Sequence, residues 1–220
     1  MRAFLVLSLG GLLQKGEVDA VKMSRGDELP ALAPDAFLQQ DPAMGVAAES
    51  RFLGKVVVKP YGVLGKNLRG PEFASPDKSM AILDPAGLPY ITGNNPGGAG
   101  GASGPIYAFA KITSFPPDVV SAITKEGQAK YHSYPTTNIV HVVGPDFRDP
   151  DTLAGGPPAE QLAAAYHSAL QEAARALKAN PKAFVTLRLL PVSSGVFAGP
   201  YKNYMDNLTA KALDMGFERL

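Results

Sequence analysis

The chain contains no cysteine among its 220 residues. This absence excludes disulfide bonds, thiolate catalysis and thiolate metal sites. Histidine is scarce as well, because only His132, His141 and His167 occur and they are scattered along the chain. That distribution argues against a histidine-rich metal centre. We therefore expect neither a metal nor another cofactor.

The chain also lacks an excess of charge of either sign. Its 21 Lys and Arg residues almost balance its 20 Asp and Glu residues, which gives a formal net charge of +1. Proteins that bind duplex nucleic acid normally have a strong basic excess. The composition therefore gives no signal for nucleic acid, and any phosphate group would have to be held by local geometry.

Long apolar runs are missing too. No segment approaches the roughly 20 continuous apolar residues that cross a bilayer, so we expect no membrane partner. The start, MRAFLVLSLGGLL, resembles a short signal peptide, but no small-x-small cleavage site follows it. We interpret Ala3–Leu9 as a buried strand and expect a cytoplasmic or nuclear protein rather than a secreted one. The oligomeric state stays open.

The remaining pattern indicates one α/β domain over residues 1–220, with a Pro- and Gly-rich insertion at about 29–78. Apolar runs predict strands, and spacings of three and four predict helices. Alternation of the two favours a three-layer α/β/α fold around a central mixed sheet. The predicted strands are Ala3–Leu9, Val18–Met23, Lys55–Lys59, Ser79–Leu83, Asn138–Val143 and Phe184–Leu190, and the predicted helices are Asp118–Lys125, Ala159–Lys178 and Tyr204–Met215.

Three local interpretations complete this outline. The DPAG sequence at Asp84–Gly87 is expected to end its strand sharply. Lys130 and Tyr131 are assigned to a solvated connecting loop, without a functional role. His141 lies within an apolar strand, where a single imidazole is typical of a hydrogen-bonded core residue.

The glycine loop, Gly97–Ile106, has the sequence GGAGGASGPI. Its first eight residues include five glycines and two alanines, so its backbone N–H groups can approach a ligand closely. An apolar run follows, which places the loop at the end of a regular element where amides are unpaired. This geometry is typical of phosphate binding, although a flexible turn fits the same composition.

The serine loop, Ser193–Gly199, has the sequence SSGVFAG and follows a predicted strand. Its hydroxyls and amides are hydrogen-bond donors, and Phe197 offers an apolar wall. Ligands of open α/β sheets lie outside the carboxyl ends of the strands. Two such loops would therefore face one crevice and suit the two phosphates of a nucleotide-like diphosphate.

Several segments, in their order along the chain, resemble the macro domain family. GAGGASGPIY at Gly98–Tyr107 is similar to the family's glycine loop, and EGQAKYHSYPTTNIVHVVGP at Glu126–Pro145 is similar to the segment that ends in a VIHTVGP-like strand. LLPVSSGVFAGP at Leu189–Pro200 is similar to its STGVYGYP-like loop. Gly26-Asp27 and AILDPAG at Ala81–Gly87 resemble its GD and NAAN-like corners. The resemblance implies a macro-domain-like fold of the Appr-1''-p processing type.

The family binds ADP-ribose, and some members hydrolyse ADP-ribose from proteins or deacetylate O-acetyl-ADP-ribose. By resemblance, Asp27 contacts the adenine amino group and Asp84 lies at the ribose corner. The loops would surround the two phosphates, with the distal ribose between them. The ligand-binding residues implied in the two loops are Gly100, Gly101, Ala102, Gly104, Ser193, Ser194, Gly195, Val196 and Phe197. The implied partner is ADP-ribose or an ADP-ribosylated protein.

The sequence departs from the family where the chemistry would occur. Asp84 and Gly87 stand where asparagines are usual, and Ser103 occupies the position of the hydrolytic aspartate. Ser103, Asn94 and Asn95 are therefore the candidate catalytic residues, although the two asparagines also suit turn capping. The alternatives left open are an ADP-ribosyl hydrolase, a non-catalytic ADP-ribose reader, and a degenerate macro domain that acts in protein contacts.

Overall fold

The computed structural model describes residues 75–220, residues 62–65, and the backbone of two strands at Phe4–Ser8 and Val56–Lys59. The predicted strand at Val18–Met23, Asp27 and most of the proposed insertion lie outside the described residues. The single-domain assignment and the insertion therefore stay predictions.

Regular elements alternate along the described chain. The strands are β1 (Phe4–Ser8), β2 (Val56–Lys59), β3 (Met80–Ala86), β4 (Ala129–Ser133), β5 (Asn138–Val143) and β6 (Thr186–Leu189). The helices are α1 (Leu88–Thr92), α2 (Ser103–Ala110), α3 (Pro117–Ala122), α4 (Pro150–Ala154), α5 (Pro158–Ala179) and α6 (Met205–Glu218). Short 3₁₀ segments lie at Pro96–Gly98 and Val196–Tyr201.

The described strands form one mixed sheet in the order β2-β1-β6-β3-β5-β4. The central strand β3 is parallel to both β5 and β6, whereas β1 and β4 join the sheet in antiparallel orientation. The carboxyl ends of β3, β5 and β6 therefore meet at one edge of the sheet. This edge is where the sequence places both loops.

Helices cover both faces of the sheet. Leu83 and Val140 pack with α5 and α6 in one core, while the neighbouring Ile82 and Ile139 pack with α1, α2 and α3 in the other. Adjacent residues of a strand point to opposite faces, so each buried strand supplies both cores. The prediction of a three-layer α/β/α fold around a central mixed sheet is confirmed. No helix in the described part of the chain combines the length and apolar character needed to span a membrane.

The prediction that DPAG ends its strand is wrong. Strand β3 continues through Pro85 to Ala86, which pairs with Val143 of β5. Proline cannot donate to a strand ladder, but pairing between β3 and β6 already ends at Ile82. Pro85 therefore lies where β3 has a strand partner on one side only.

The assignment of Lys130 and Tyr131 to a loop is also wrong. Both residues lie in β4, the edge strand that pairs antiparallel with β5. The sequence of β4, AKYHS, lacks the continuous apolar run that identifies β5, and its residues Ala129 to His132 are only partly buried. Its role in the sheet comes from backbone pairing rather than from an apolar sequence.

Candidate functional site

The glycine loop and the serine loop lie at the same edge of the sheet. The Ser103 Oγ lies 3.3 Å from the Pro85 carbonyl oxygen at the end of β3. The Ser193 hydroxyl donates to the Pro145 carbonyl just beyond β5 (2.7 Å). An ideal Cβ built on Gly87, directly after β3, would lie 3.7 Å from Cζ of Phe197. The two loops thus converge on the carboxyl ends of β3 and β5.

The glycine loop keeps several amides available for a ligand. Within residues 75–220, no group accepts a hydrogen bond from the N–H of Gly100, Gly101 or Ala102. These residues directly precede helix α2, whose N-terminus carries a partial positive charge. The loop packs tightly at Gly104, where a Cβ would lie 2.6 Å from the Ala99 carbonyl oxygen. Only glycine permits this close approach.

The serine loop offers a second set of amides. The N–H groups of Ser194, Gly195 and Val196 have no acceptor in the part of the chain that the structure describes. Ser193 is buried and has a positive φ of 58°, a conformation that non-glycine residues seldom adopt. Its hydrogen bond to the Pro145 carbonyl holds that conformation. Val196 is 69% exposed.

A cationic side chain borders the serine loop. The guanidinium of Arg148 lies 4.9 Å from the centre of the Phe197 ring. Its Nε and one terminal nitrogen donate to the two carboxylate oxygens of Asp146 (2.9 and 2.7 Å). These hydrogen bonds lower the pKa of Asp146 below its usual value. The bidentate contact with Asp146 orients Arg148 over the ring.

A buried polar network lies beneath the glycine loop. Asp84 is fully buried, and its carboxylate accepts hydrogen bonds from Ser103 Oγ (2.6 Å), Tyr107 Oη (2.7 Å) and His141 Nδ1 (2.8 Å). The remaining ring nitrogen of His141 contacts Tyr134 Oη (2.9 Å). A buried carboxylate is tolerated when several donors satisfy it. The network thus ties β3, β5 and the start of α2 together.

The phenols of this network act as donors. Burial, and secondarily the negative charge of Asp84, raises the pKa of both Tyr107 and Tyr134 well above the usual value. Tyr107 therefore donates to Asp84 and Tyr134 donates to His141 Nε2, which leaves the proton of the imidazole on Nδ1. The expectation that His141 is a hydrogen-bonded core residue is confirmed.

The candidate catalytic residues occupy different environments. Ser103 is 4% exposed and lies at the first turn of α2. The exposed Asn94 has a positive φ of 47°, and its Oδ1 accepts a hydrogen bond from the Phe115 N–H (2.6 Å). Asn95 is exposed, and its side chain lies against Gly98 of the glycine loop. A Cβ added at Gly98 would be 2.9 Å from Asn95 Nδ2. The catalytic roles of all three stay predictions.

The structure places the other predicted site residues as follows. Those of the two loops lie at the shared edge, whereas Asp84 lies below the glycine loop with both carboxylate oxygens occupied by protein donors. Asp27 is outside the described residues. The predicted ligand contacts of all these residues, including Asp84, stay predictions.

Sequence reasoning missed the link between Asp84 and His141. The two residues are direct partners in the register of β3 and β5. Asp84 is the one polar residue of β3, and His141 lies among apolar residues in β5. Alignment of the two strands as parallel neighbours would have placed these two polar side chains opposite each other and predicted their contact. Arg148 was missed because nothing in its local sequence indicates that it contacts Phe197.

Comparisons with known proteins give fold similarities only. No family model matches the chain, and no curated protein matches it. An Oceanobacillus iheyensis macrodomain, solved with MES bound, is similar at 17% identity and a TM-score of 0.42, over 75% of this chain and 77% of that one. An alphavirus protein described as P23pro-zbd is similar at 20% identity and a TM-score of 0.38, over 67% of this chain and 21% of that one. Similarities this low carry no argument about function.

Proposed function

We propose that this chain binds ADP-ribose, or a related ADP-ribose metabolite, in the cleft between the glycine loop and the serine loop. The observation that carries the proposal is the convergence of the two loops at one sheet edge, each with unpaired amides in the described part of the chain. Two such amide clusters match the two phosphates of a diphosphate. The ordered sequence resemblance to the macro domain family supports ADP-ribose as that diphosphate.

In this proposal each loop binds one phosphate. The amides of residues 100–102 and the N-terminus of α2 bind the first, and the amides of residues 194–196 bind the second. The distal ribose lies between the loops, and Phe197 forms an apolar wall beside it. Asp84 acts through Ser103, whose hydroxyl it orients. Asp27 contacts the adenine amino group, as the sequence resemblance implies.

The burial of Ser103, which is 4% exposed, supports binding without turnover. Ser103 donates its hydroxyl proton to one oxygen of Asp84, while His141 contacts the other oxygen of that carboxylate. No contact between Ser103 and His141 is present, so the imidazole is not placed to remove the serine proton. Hydrolysis of ADP-ribose linkages would instead need a water molecule oriented by Asn94, Asn95 or the bound phosphate.

Isothermal titration calorimetry with ADP-ribose tests the binding proposal. Gly195 has open space around its Cβ position, so an added side chain meets no atom of the described structure there. We expect Gly195→Glu to abolish measurable binding, because its carboxylate would compete with phosphate for the loop amides. Gly195→Gln, which matches the size without the charge, should weaken binding less. Heat no larger than that of buffer dilution for the unmodified protein would contradict the proposal.

The catalytic alternatives are separated by product release. A reader binds ADP-ribose and releases none from an ADP-ribosylated protein or from O-acetyl-ADP-ribose above the level of Gly195→Glu. If release is observed, alanine variants of Ser103, Asn94 and Asn95 identify the residue that slows release while ADP-ribose affinity is retained. A degenerate domain that serves protein contacts would show neither binding nor release.

A further inference from the structure

A second cleft lies at the amino ends of the parallel strands β3, β5 and β6, on the side of the sheet opposite to the two loops. It is a groove of about 590 Å³, bordered by the residues that precede β3 and β6, by the first residue of β5, and by the last turns of α5. Strand β3 is seven residues long, so this edge is about 20 Å from the glycine and serine loops. The groove is therefore separate from the proposed ADP-ribose site.

The groove concentrates positive charge. Lys78, Lys130, Arg175 and Lys182 border it, and Glu172 is the acidic residue among the described residues that line it. The whole chain has a net charge of only +1, so this excess is local. The carboxyl end of α5 contributes roughly half a negative charge. More than two positive charges stay uncompensated.

Glu172 is already committed to the protein. Its carboxylate contacts Arg175, lies 4.0 Å from Lys130 Nζ and accepts a hydrogen bond from the backbone N–H of Tyr131 (3.1 Å). Tyr131 belongs to the edge strand β4, so Glu172 also satisfies an edge amide. One carboxylate cannot neutralise the remaining lysines. Lys182 forms no ion pair within residues 75–220.

The walls of the groove are held in place by hydrogen bonds. Lys78 Nζ donates to Ser133 Oγ (2.8 Å) and to the Tyr134 carbonyl. Tyr131 Oη donates to Asn138 Oδ1 (2.8 Å), and burial raises the pKa of this phenol. The Asn138 amide group donates to backbone carbonyls that include those of Lys78 and Ala183 (2.9 and 3.1 Å). A cationic cleft with fixed walls loses little entropy when an anion binds.

We propose that this groove binds a small ligand that carries two or more phosphate groups. Several separate cations around one open cleft match several anionic groups better than a single one. The planar guanidinium of Arg175 is suited to phosphate oxygens, and the lysine ammonium groups supply further donors. The ribose and base of a nucleotide are not required, because the cations of the groove would contact the phosphates.

A titration with inorganic tripolyphosphate tests the proposal. Calorimetry and the amide chemical shifts in NMR spectra monitor the binding. With the loops occupied by saturating ADP-ribose, we expect saturable binding of tripolyphosphate at one site per chain, with shifts in β4 and at the end of α5. The double variant Arg175→Gln/Lys182→Gln removes two of the four cations and should lower affinity at least about tenfold. The matched double variant Lys202→Gln/Lys211→Gln removes two exposed charges outside the groove and should leave affinity within about twofold.

Other outcomes overturn the proposal. Equal losses in both double variants would indicate a general charge effect, and absent saturation at low salt would exclude a site. Absence of tripolyphosphate binding in the ADP-ribose-saturated protein would place its binding at the loops. Binding of a single-stranded oligonucleotide without binding of tripolyphosphate would assign the groove to nucleic acid. Because the Arg175→Gln/Lys182→Gln variant should keep its ADP-ribose affinity, failure here is distinguishable from failure of the proposed function.

Discussion

At the scale of single residues, the buried carboxylate of Asp84 determines how the candidate site is supported. Three donors from β5 and α2 converge on it. A buried acceptor that loses one of its donors costs about 1 to 3 kcal/mol. The network therefore fixes the distance between the sheet and the first turn of α2, and with it the position of the glycine-loop amides.

Replacing Tyr134 by phenylalanine tests this support. The change removes the hydroxyl that donates to His141 Nε2 and leaves a buried ring nitrogen without its partner. We expect a loss of about 1 to 3 kcal/mol in the free energy of unfolding, measured by urea denaturation. Tyr204→Phe is the matched control, because Tyr204 is 38% exposed and its change should stay within about 0.5 kcal/mol. Equal effects of the two changes would contradict the role of the network.

Individual residues also show how far sequence reasoning extends. The sequence NIVHVV predicts β5 with its observed bounds, because all six residues are buried and apolar character dominates. The partner of His141 could not be derived from that strand, since it depends on the register between β3 and β5. Tyr134 and Tyr107 join the network from a loop and from a helix, and no periodic pattern connects them.

At the scale of elements, β3 and β4 show where local rules fail. Proline and glycine normally end a strand, but Pro85 is accommodated because pairing with β6 has already ended. Strand β4 is formed by AKYHS, whose partly buried residues give no apolar run. Both errors have one cause: the position of a strand among its neighbours determines which residues it tolerates, and that position is not local information.

The junction between β5 and the serine loop makes a prediction for this scale. An ideal Cβ on Gly144 would lie 2.2 Å from Val192 Cγ1 and 2.5 Å from Ser193 Oγ. Gly144→Ala should therefore displace the serine loop, cost about 1 to 3 kcal/mol in unfolding free energy, and lower ADP-ribose affinity by about tenfold or more. Unfolding in urea and calorimetry measure the two effects.

Two variants control for a general loss of folding. Gly155 lies at the end of helix α4, where an added Cβ would be 3.3 Å from the Thr152 carbonyl oxygen, its nearest neighbour. We expect Gly155→Ala to change ADP-ribose affinity less than twofold. The double variant Gly144→Ala/Val192→Ala removes the closest contact and should recover part of the affinity. A folded Gly144→Ala protein that binds ADP-ribose like the unmodified chain would show that the serine loop does not hold the ligand.

At the scale of the whole molecule, parallel strands separate two kinds of surface. The carboxyl ends of β3, β5 and β6 bring amide-rich loops together, while their amino ends meet basic side chains and the end of α5. The three-layer fold follows from alternating elements in the sequence. The gathering of distant cations into one groove does not, because Lys78, Lys130, Arg175 and Lys182 are adjacent only after the sheet has formed.

This separation predicts that two ligands stabilise the molecule independently. A ligand at 100 times its Kd adds about 2.7 kcal/mol, which raises the Tm of a domain of this size by roughly 5 to 10 °C. We expect ADP-ribose to produce such a shift in thermal unfolding, and Gly195→Glu to show none. Tripolyphosphate should add its own shift, because sites about 20 Å apart contribute additively. If the shift with both ligands equals the larger single shift, the ligands share one site and the assignment of the groove is wrong.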